Sequence, residues 1–192
     1  MINNLIETIK ENMTPNAVHP FVIAIDGMSG SGKTTLAKLL QTHFPASNVF
    51  HMDDYFLQPH QRTQTRLCEA GGNVDYERFQ DEILSHINDK CGLAYHKYNC
   101  HAQKLSSEIF VAWKPLVIIE GAYSQHPYFG PYYNLGIFCE MSDEEQKQRI
   151  LKRNGPDMLN RFLKEWIPKE NLYFQTYCIK ENNCFLYHQE LQ

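Results

Sequence analysis

The sequence predicts an α/β fold in which one parallel sheet carries helices on both faces, and three observations lead to this expectation. Continuous apolar runs of strand length alternate with segments of helical periodicity, the order typical of β-α-β units. A glycine-rich segment joins the first such strand to the helix that follows it. The 192 residues contain no internal repeat and no Pro/Ser-rich linker, so we expect a single domain over 1–192.

The predicted strands are short and apolar, and they cover residues 21–25, 48–52, 116–119 and 135–139. Helical spacing of apolar residues predicts helices over 1–18, from 35 onward, over 76–90 and over 142–153. The Asn-Gly-Pro sequence at 154–156 should break the last of these, and Pro168 is typical of the first turn of another helix. The stretch 93–112 keeps no helical face, so we expect a hairpin there.

Composition narrows the possible functions. Hydrophobic residues make up 43% and charged residues 21% of the chain, as in ordinary globular proteins. A formal net charge of −4 argues against broad nucleic-acid binding, which requires a basic surface. No apolar run approaches the ~18 residues of a membrane helix, and the six cysteines form no C-x-x-C pair. We therefore expect a cytoplasmic protein with no membrane or nucleic-acid partner; the sequence leaves a homo-oligomer open.

The glycine-rich segment fits the G-x-x-x-x-G-K-[ST] phosphate-binding loop without a mismatch. Its glycines allow successive backbone N–H groups and a helix N-terminus to face phosphate oxygens. The lysine adds positive charge at the β- and γ-phosphates, and the hydroxyl after it binds Mg²⁺. The motif predicts a site for ATP and Mg²⁺, and the expected binding residues are Gly27, Ser29, Gly30, Ser31, Gly32, Lys33, Thr34 and Thr35.

Acidic residues follow two predicted strands, at the sheet edge where α/β folds bind ligands. Glu120 closes an apolar strand, and we expect it to orient Mg²⁺ with Thr34. Asp53 and Asp54 close another strand, and one of them could accept a proton from an attacking hydroxyl or contact the metal. Only one should face the site, because neighbours in an extended chain point in opposite directions. A turn or helix-capping role is the alternative.

Two further groups of residues carry charge or metal-binding atoms. Arg149 and Arg153 lie four residues apart and so share one face of a predicted helix. Such a face could close over a transferring phosphate as a lid over 149–166, although a solvated helix face is the alternative. His51 lies two residues before Asp53, but no other His or Cys spacing in the sequence suggests a transition-metal site.

The motifs, taken in order, resemble the uridine kinase and phosphoribulokinase-like branch of the P-loop kinases. The matching segments are 26–35, 52–56, 71–79, 98–101, 117–123 and 137–153, and 165–174 resembles a uridine kinase-like subgroup. The resemblance implies a P-loop kinase fold and transfer of the γ-phosphate of ATP to a primary hydroxyl of a small metabolite. The 5′-hydroxyl of uridine or cytidine is the first candidate acceptor. Pantothenate, ribulose phosphate and nicotinamide riboside are alternatives, as is a P-loop nucleotide-binding protein that is not a kinase.

The resemblance also implies roles for single residues on the side of the phosphate donor. The first acid of the D-x-[YF]-[YF] block is the family's general base and matches Asp53. The acid of the E-G block, which helps to organise Mg²⁺, matches Glu120. Lys33 matches the phosphate-binding lysine, and the lid arginines of the family correspond to Arg149 and Arg153.

On the acceptor side the resemblance is less regular. Asp75 matches an acid that holds the ribose hydroxyls, and Tyr98 with His101 matches an aromatic residue and a histidine that contact the base. The family has a tyrosine, an acid and a phenylalanine in this block, whereas this chain has Tyr98, Asn99 and Cys100. Packing within the hairpin is therefore the alternative role for Tyr98 and His101.

Overall fold

A five-stranded parallel sheet forms the centre of the computed structural model, which describes residues 2–14, 17–183 and 185–188. The strands in these residues are β1 (Phe21–Gly27), β2 (Ser47–His51), β3 (Leu93–Tyr95), β4 (Tyr98–Asn99), β5 (Lys104–Leu105), β6 (Ile109–Val111), β7 (Leu116–Glu120), β8 (Leu135–Cys139) and β9 (Phe185–Tyr187). The α-helices are α1 (Ile2–Asn12), α2 (Lys33–His43), α3 (Gln64–Cys68), α4 (Tyr76–Phe79), α5 (Asp143–Arg161) and α6 (Ile167–Thr176).

The strand order of the central sheet is β2-β7-β1-β8-β9, and every pair is parallel. This arrangement confirms the predicted α/β fold with a parallel sheet. The edge strand β9 was not predicted, because three residues are too few to show a period. In the ranges that the structure describes, none of the helices combines the length and apolar character needed to span a bilayer.

The two faces of the sheet carry separate apolar cores, because alternate residues of a strand point in opposite directions. On one face, Ile23 and Ile25 of β1 belong to a cluster with α1 and α2. On the other face, Val22 belongs to a cluster with residues of α4, of the segment 93–111 and of α6. The strands are therefore buried on both sides, which explains why they read as continuous apolar runs.

Several helices differ in extent from the prediction. The N-terminal helix, expected over 1–18, ends at Asn12, and positions 1, 15 and 16 lie outside the described residues. The helix expected over 76–90 is α4 followed by a π-helical turn, Gln80–Leu84. The expected break at 154–156 is a kink inside α5, where Gly155 has φ 80° and ψ 173° next to Pro156. A second π-helical turn, Phe162–Trp166, connects α5 to α6.

Residues 93–111 form a nested antiparallel hairpin. Its outer ladder pairs β3 with β6, and its inner ladder pairs β4 with β5. Leu93 and Tyr95 are buried and anchor the hairpin in the core beside α4. The hairpin, the segment 149–166 and the phosphate-binding loop are separate pieces of chain.

Candidate active site

The phosphate-binding loop lies between β1 and α2 and has the backbone geometry that its glycines allow. Gly27, Gly30 and Gly32 have φ values of 136°, 81° and 93°, which side-chain-bearing residues rarely adopt. A Cβ atom on Gly27 would lie 2.0 Å from the carbonyl oxygen of Cys139, so no larger residue fits there. Because α2 begins at Lys33, the loop leads its N–H groups directly into a helix N-terminus.

The polar groups of the loop suit phosphate. The ammonium group of Lys33 lies across the loop and donates to the carbonyl oxygens of Gly27 (2.7 Å) and Met28 (3.0 Å). The buried Ser31 hydroxyl has no hydrogen-bond partner among the described residues, a state that a ligand oxygen would relieve. Thr34 and Thr35, in the first turn of α2, are exposed to solvent. The residues present therefore fit a bound triphosphate.

Glu120 lies next to Thr34, so the two side chains bring together oxygen atoms of the kind that bind Mg²⁺. Its carboxylate Oε1 accepts a hydrogen bond from the Thr34 hydroxyl at 3.0 Å and lies 2.5 Å from Nδ1 of His51. The parallel register places His51 of β2 and Ile25 of β1 directly beside Glu120 of β7. The hydrogen bond that His51 donates to the Glu120 carboxylate raises the pKa of His51. Hydroxyl and carboxylate oxygens form a hard donor set that fits Mg²⁺.

Asp53 and Asp54 lie in a 3₁₀ turn, Met52–Tyr55, that follows β2, and their environments differ. Asp54 forms an ion pair with Lys97 of the hairpin, with 3.0 Å between Oδ2 and Nζ. Asp53 remains accessible to solvent, but the surrounding protein raises the pKa of its carboxyl, and the charge of Lys33 opposes this rise. Asp53 thus lies within electrostatic reach of Lys33 and Glu120, as a general base at this site must.

The two arginines that were expected in a lid, Arg149 and Arg153, have different partners. The side chain of Arg149, a residue of α5, contacts the phosphate-binding loop, and its Nη1 donates to the carbonyl oxygen of Gly30 at 3.4 Å. Arg153, one turn later, donates from Nε to the side chain of Asn154 at 2.7 Å. Arg149 is therefore next to the expected position of the phosphates, whereas Arg153 lies near the kink of α5.

The residues implied for the acceptor lie around α4 and the hairpin. Asp75 is buried and caps α4, because its Oδ1 accepts from the backbone N–H of Arg78 at 3.1 Å. Tyr98 is also buried, and its hydroxyl accepts a 3.3 Å hydrogen bond from Arg62. His101 is exposed in the turn of the hairpin. Asp75 and Tyr98 thus have structural partners.

Three residues of the site were given no site role from the sequence. Asp26, fully buried, accepts hydrogen bonds from the backbone of Gly27 (2.7 Å) and Gln125 (3.0 Å). His51 contacts Glu120, and Glu170 contacts Ser29. Asp26 directly precedes the loop, and this position could have suggested that it binds the loop backbone. The pairing of β2 with β7 could have suggested that His51 lies beside Glu120. Nothing local marks Glu170, which is 141 residues from Ser29.

Sequence comparison relates the chain to nicotinamide riboside kinases. It is 32% identical over 135 residues, 67% of this chain, to "Nicotinamide riboside kinase 1" of Homo sapiens, and the match spans 63% of that protein's length. A shorter segment of 36 residues, 19% of this chain and 18% of the relative, is 56% identical to the protein of the same name from Mus musculus. No family model matches the chain.

Solved structures share the fold over nearly the whole chain. A protein described as a possible uridine kinase from Bacillus stearothermophilus has a TM-score of 0.72 at 22% identity, covering 97% of this chain and 96% of that one. A protein provisionally described as a fructose transport system kinase from Silicibacter sp. TM1040 has a TM-score of 0.74 at 18% identity, with coverage of 97% and 98%. The shared fold, the order of the motifs and the sequence similarity together support a uridine kinase-like P-loop kinase family for this chain.

Proposed function

We propose that the protein is an ATP- and Mg²⁺-dependent kinase that transfers the γ-phosphate to the primary hydroxyl of a ribonucleoside. The observation that carries the proposal is the convergence of four groups at the carboxyl edge of the sheet. Lys33 and Thr34 open α2, Glu120 ends β7 and hydrogen-bonds to Thr34, and Asp53 follows β2 within electrostatic reach of Lys33 and Glu120. Ligands bind at this edge in parallel α/β sheets.

Asp53 is the general base in this proposal. Its carboxylate takes the proton of the acceptor hydroxyl as the hydroxyl oxygen forms a bond to the γ-phosphorus, and the bond from phosphorus to the ADP oxygen breaks. The surrounding protein raises the pKa of Asp53, which makes its carboxylate a stronger base, and the charge of Lys33 opposes this rise. Asp54 is paired with Lys97 and is therefore the weaker candidate.

The donor is held by the backbone of the loop and by the first turn of α2. Lys33 can exchange its bonds to the carbonyls of Gly27 and Met28 for phosphate oxygens, because both bonds are to neutral acceptors. Thr34 and Glu120 would hold Mg²⁺, which supplies positive charge against the phosphate oxygens. Arg149, whose side chain contacts the loop at Gly30, would add a guanidinium group beside the phosphate oxygens.

The same proposal places the acceptor between the 3₁₀ turn after β2 and the hairpin 93–112, with the segment 149–166 as a lid. Asp75 would hold the ribose hydroxyls, and Tyr98 and His101 would form the wall next to the base. The support is the family resemblance, together with the ion pair between Asp54 and Lys97 that ties the hairpin to the turn that carries Asp53. A cytoplasmic location belongs to this proposal, in keeping with the free thiols of the cysteines that the structure describes.

Two kinds of ribonucleoside are candidates for different reasons. The motif order resembles uridine kinases, which favours uridine or cytidine. The similarity to nicotinamide riboside kinase 1 over 67% of the chain favours nicotinamide riboside. Both are ribosides with a free 5′-hydroxyl, so one arrangement of Asp53 and Asp75 would serve either.

An acceptor-dependence assay tests the proposal. ADP release is followed with ATP and Mg²⁺ alone and after separate addition of uridine, cytidine or nicotinamide riboside. We expect turnover only with an acceptor, and the preferred riboside identifies the branch. ATP hydrolysis that is the same with and without each riboside would instead favour a nucleotide-binding protein without a small acceptor.

A further inference from the structure

Helix α6, which follows the lid segment, contacts the phosphate-binding loop through Glu170. The backbone N–H of Ser29 donates to Oε2 of Glu170 at 3.0 Å, and the Ser29 hydroxyl donates to Oε1. Only 5% of Glu170 is exposed, so this carboxylate is removed from water. Both carboxylate oxygens of Glu170 accept hydrogen bonds from the same loop residue, Ser29.

One turn further along α6, Tyr173 binds the residue that precedes the loop. Its hydroxyl donates to Oδ2 of Asp26 at 2.8 Å, while Oδ1 of Asp26 accepts from the backbone N–H of Gly27 at 2.7 Å. Glu170 and Tyr173 are three residues apart and share a face of the helix. A single face of α6 therefore holds both the start of the loop and its third residue.

Helix α5 engages the same part of the loop. The side-chain amide of Gln146 donates to the carbonyl oxygen of Ser29 at 3.0 Å, and Arg149 donates to that of Gly30 at 3.4 Å. The N–H, the hydroxyl and the carbonyl of Ser29 are thus all bound by side chains of α5 and α6. A loop with several glycines has high conformational entropy when it is free. Contacts that order the loop beforehand reduce the conformational entropy that it loses when phosphate binds.

We propose that Glu170 is a positioning residue of the donor site: by binding Ser29 it holds the phosphate-binding loop in the conformation that accepts the triphosphate. This inference rests on the proposed kinase function, since it names a residue that serves the same site. Burial raises the pKa of Glu170, and the charge of Lys33 and the two bonds from Ser29 oppose this rise. Glu170 acts through Ser29 and does not take part in the chemical step.

Substitution of Glu170 separates positioning from simple structural support. Glu170→Ala removes both contacts to Ser29, and we expect the KM for ATP to rise about tenfold, the scale of a lost hydrogen bond to a charged group, with the KM for the acceptor unchanged. Glu170→Gln can still accept from the Ser29 N–H and place its amide beside the hydroxyl, so its KM for ATP should stay within about threefold. Asn171→Ala, an exposed neighbour on the same helix, is the matched control.

The result that overturns the inference is a folded Glu170→Ala variant whose KM for ATP stays within about twofold of wild type, or one in which both KM values rise together. If Glu170→Ala fails to fold, Ser29→Ala provides the test, because it removes only the hydroxyl contact. Its KM for ATP should rise severalfold, and an unchanged value would reject the inference. Binding of a fluorescent ATP analogue to the same variants needs no turnover, so failure of the proposed function is distinguished from failure of this inference.

Discussion

The donor side and the acceptor side of the candidate site are built in different ways. The donor side is a continuous run of eight residues, Gly27–Thr34, whose backbone geometry follows from its glycines and whose ends join β1 to α2. The proposed acceptor side is assembled from short elements between residues 52 and 112, and the ion pairs Arg66–Glu77 and Lys97–Asp54 connect separate segments of it. Local sequence therefore gives the donor loop its backbone geometry, which α5 and α6 then support, whereas the proposed acceptor side depends on side-chain contacts between separate segments.

The charged pairs of the acceptor side show this dependence. Arg66 of α3 forms two hydrogen bonds to Glu77 of α4, at 2.6 and 2.7 Å, and Arg78 of α4 contacts Asp75 and Glu82. The pair between Arg66 and Glu77 joins α3 and α4, which have five and four residues and are too short to be stable alone. Changes on this side should therefore alter acceptor recognition while the phosphate-binding loop stays intact.

The largest effect is expected at Asp53, where the two sides meet. Asp53→Asn should lower kcat by about 10²- to 10⁴-fold, the usual contribution of a general base, while ATP analogue binding persists. Asp54→Asn is the matched control and should cost far less, because Asp54 is already paired with Lys97. Steady-state kinetics with either riboside measures both, and near-normal turnover by Asp53→Asn would remove Asp53 from the mechanism.

A donor-side change should appear in the magnesium requirement. Glu120→Gln weakens the oxygen donor that contacts Thr34, and we expect the Mg²⁺ concentration for half-maximal activity to rise about 10- to 100-fold. Glu140, at the end of β8, pairs with Lys180 and His188 and is the control acid at the neighbouring strand. Equal shifts for Glu120→Gln and Glu140→Gln would show that the effect is not specific to the Thr34 contact.

An acceptor-side change should leave the donor side unaffected. Arg66→Ala removes the pair with Glu77 and the guanidinium that lies 3.6 Å from the ring centre of Tyr76. The KM for the acceptor should rise about tenfold with the KM for ATP unchanged, given the loss of charged hydrogen bonds. Lys10→Ala breaks an exposed pair on α1 and should change neither value. A rise in the KM for ATP after Arg66→Ala would contradict the separation of the two sides.

The smallest effect concerns the pH dependence of stability at His126, which packs against Tyr76 of α4. His126 stacks on Tyr76, donates from Nε2 to the carbonyl of Ala70 and accepts from the N–H of Tyr128, so it is neutral. Burial lowers its pKa. His126 therefore binds a proton more readily in the unfolded chain than in the folded protein. The free energy of unfolding should decline as the pH falls below about 6.5, the ordinary pKa of histidine.

Thermal unfolding measures this contribution. The Tm of the wild type should fall more steeply between about pH 7 and pH 5 than the Tm of His126→Gln, because glutamine does not titrate. His86, an exposed histidine beside Asp89, is the control, and His86→Gln should keep the wild-type slope. Parallel curves for wild type and His126→Gln would show that His126 does not set this dependence.

The sequence predicted the parallel sheet and the phosphate-binding loop because both are local in origin. A buried strand needs only a run of apolar residues, and the loop needs glycines at fixed spacing. The positions of Glu120 and Asp53 also followed from their place after strands, at the edge where parallel strands end. The roles of these residues in catalysis remain predictions.

The remaining features depend on contacts that no local pattern reports. Glu170 and Tyr173 reach the loop across more than 140 residues of chain, and β9 is too short to show a period. The helix expected over 76–90 ends early in a π-helical turn, although its apolar spacing is helical throughout. On the acceptor side, Tyr98 is fixed by Arg62, a residue that its own motif does not contain.

The most direct test of the central claim is a mass-spectrometric screen for phosphorylated products. Wild-type protein and Asp53→Asn are incubated with ATP, Mg²⁺ and a mixture of ribosides and other small alcohols. We expect one riboside to gain a phosphoryl group with the wild type, and the product to be absent or strongly reduced with Asp53→Asn. ADP formation without any phosphorylated acceptor, or equal product from both proteins, would contradict it.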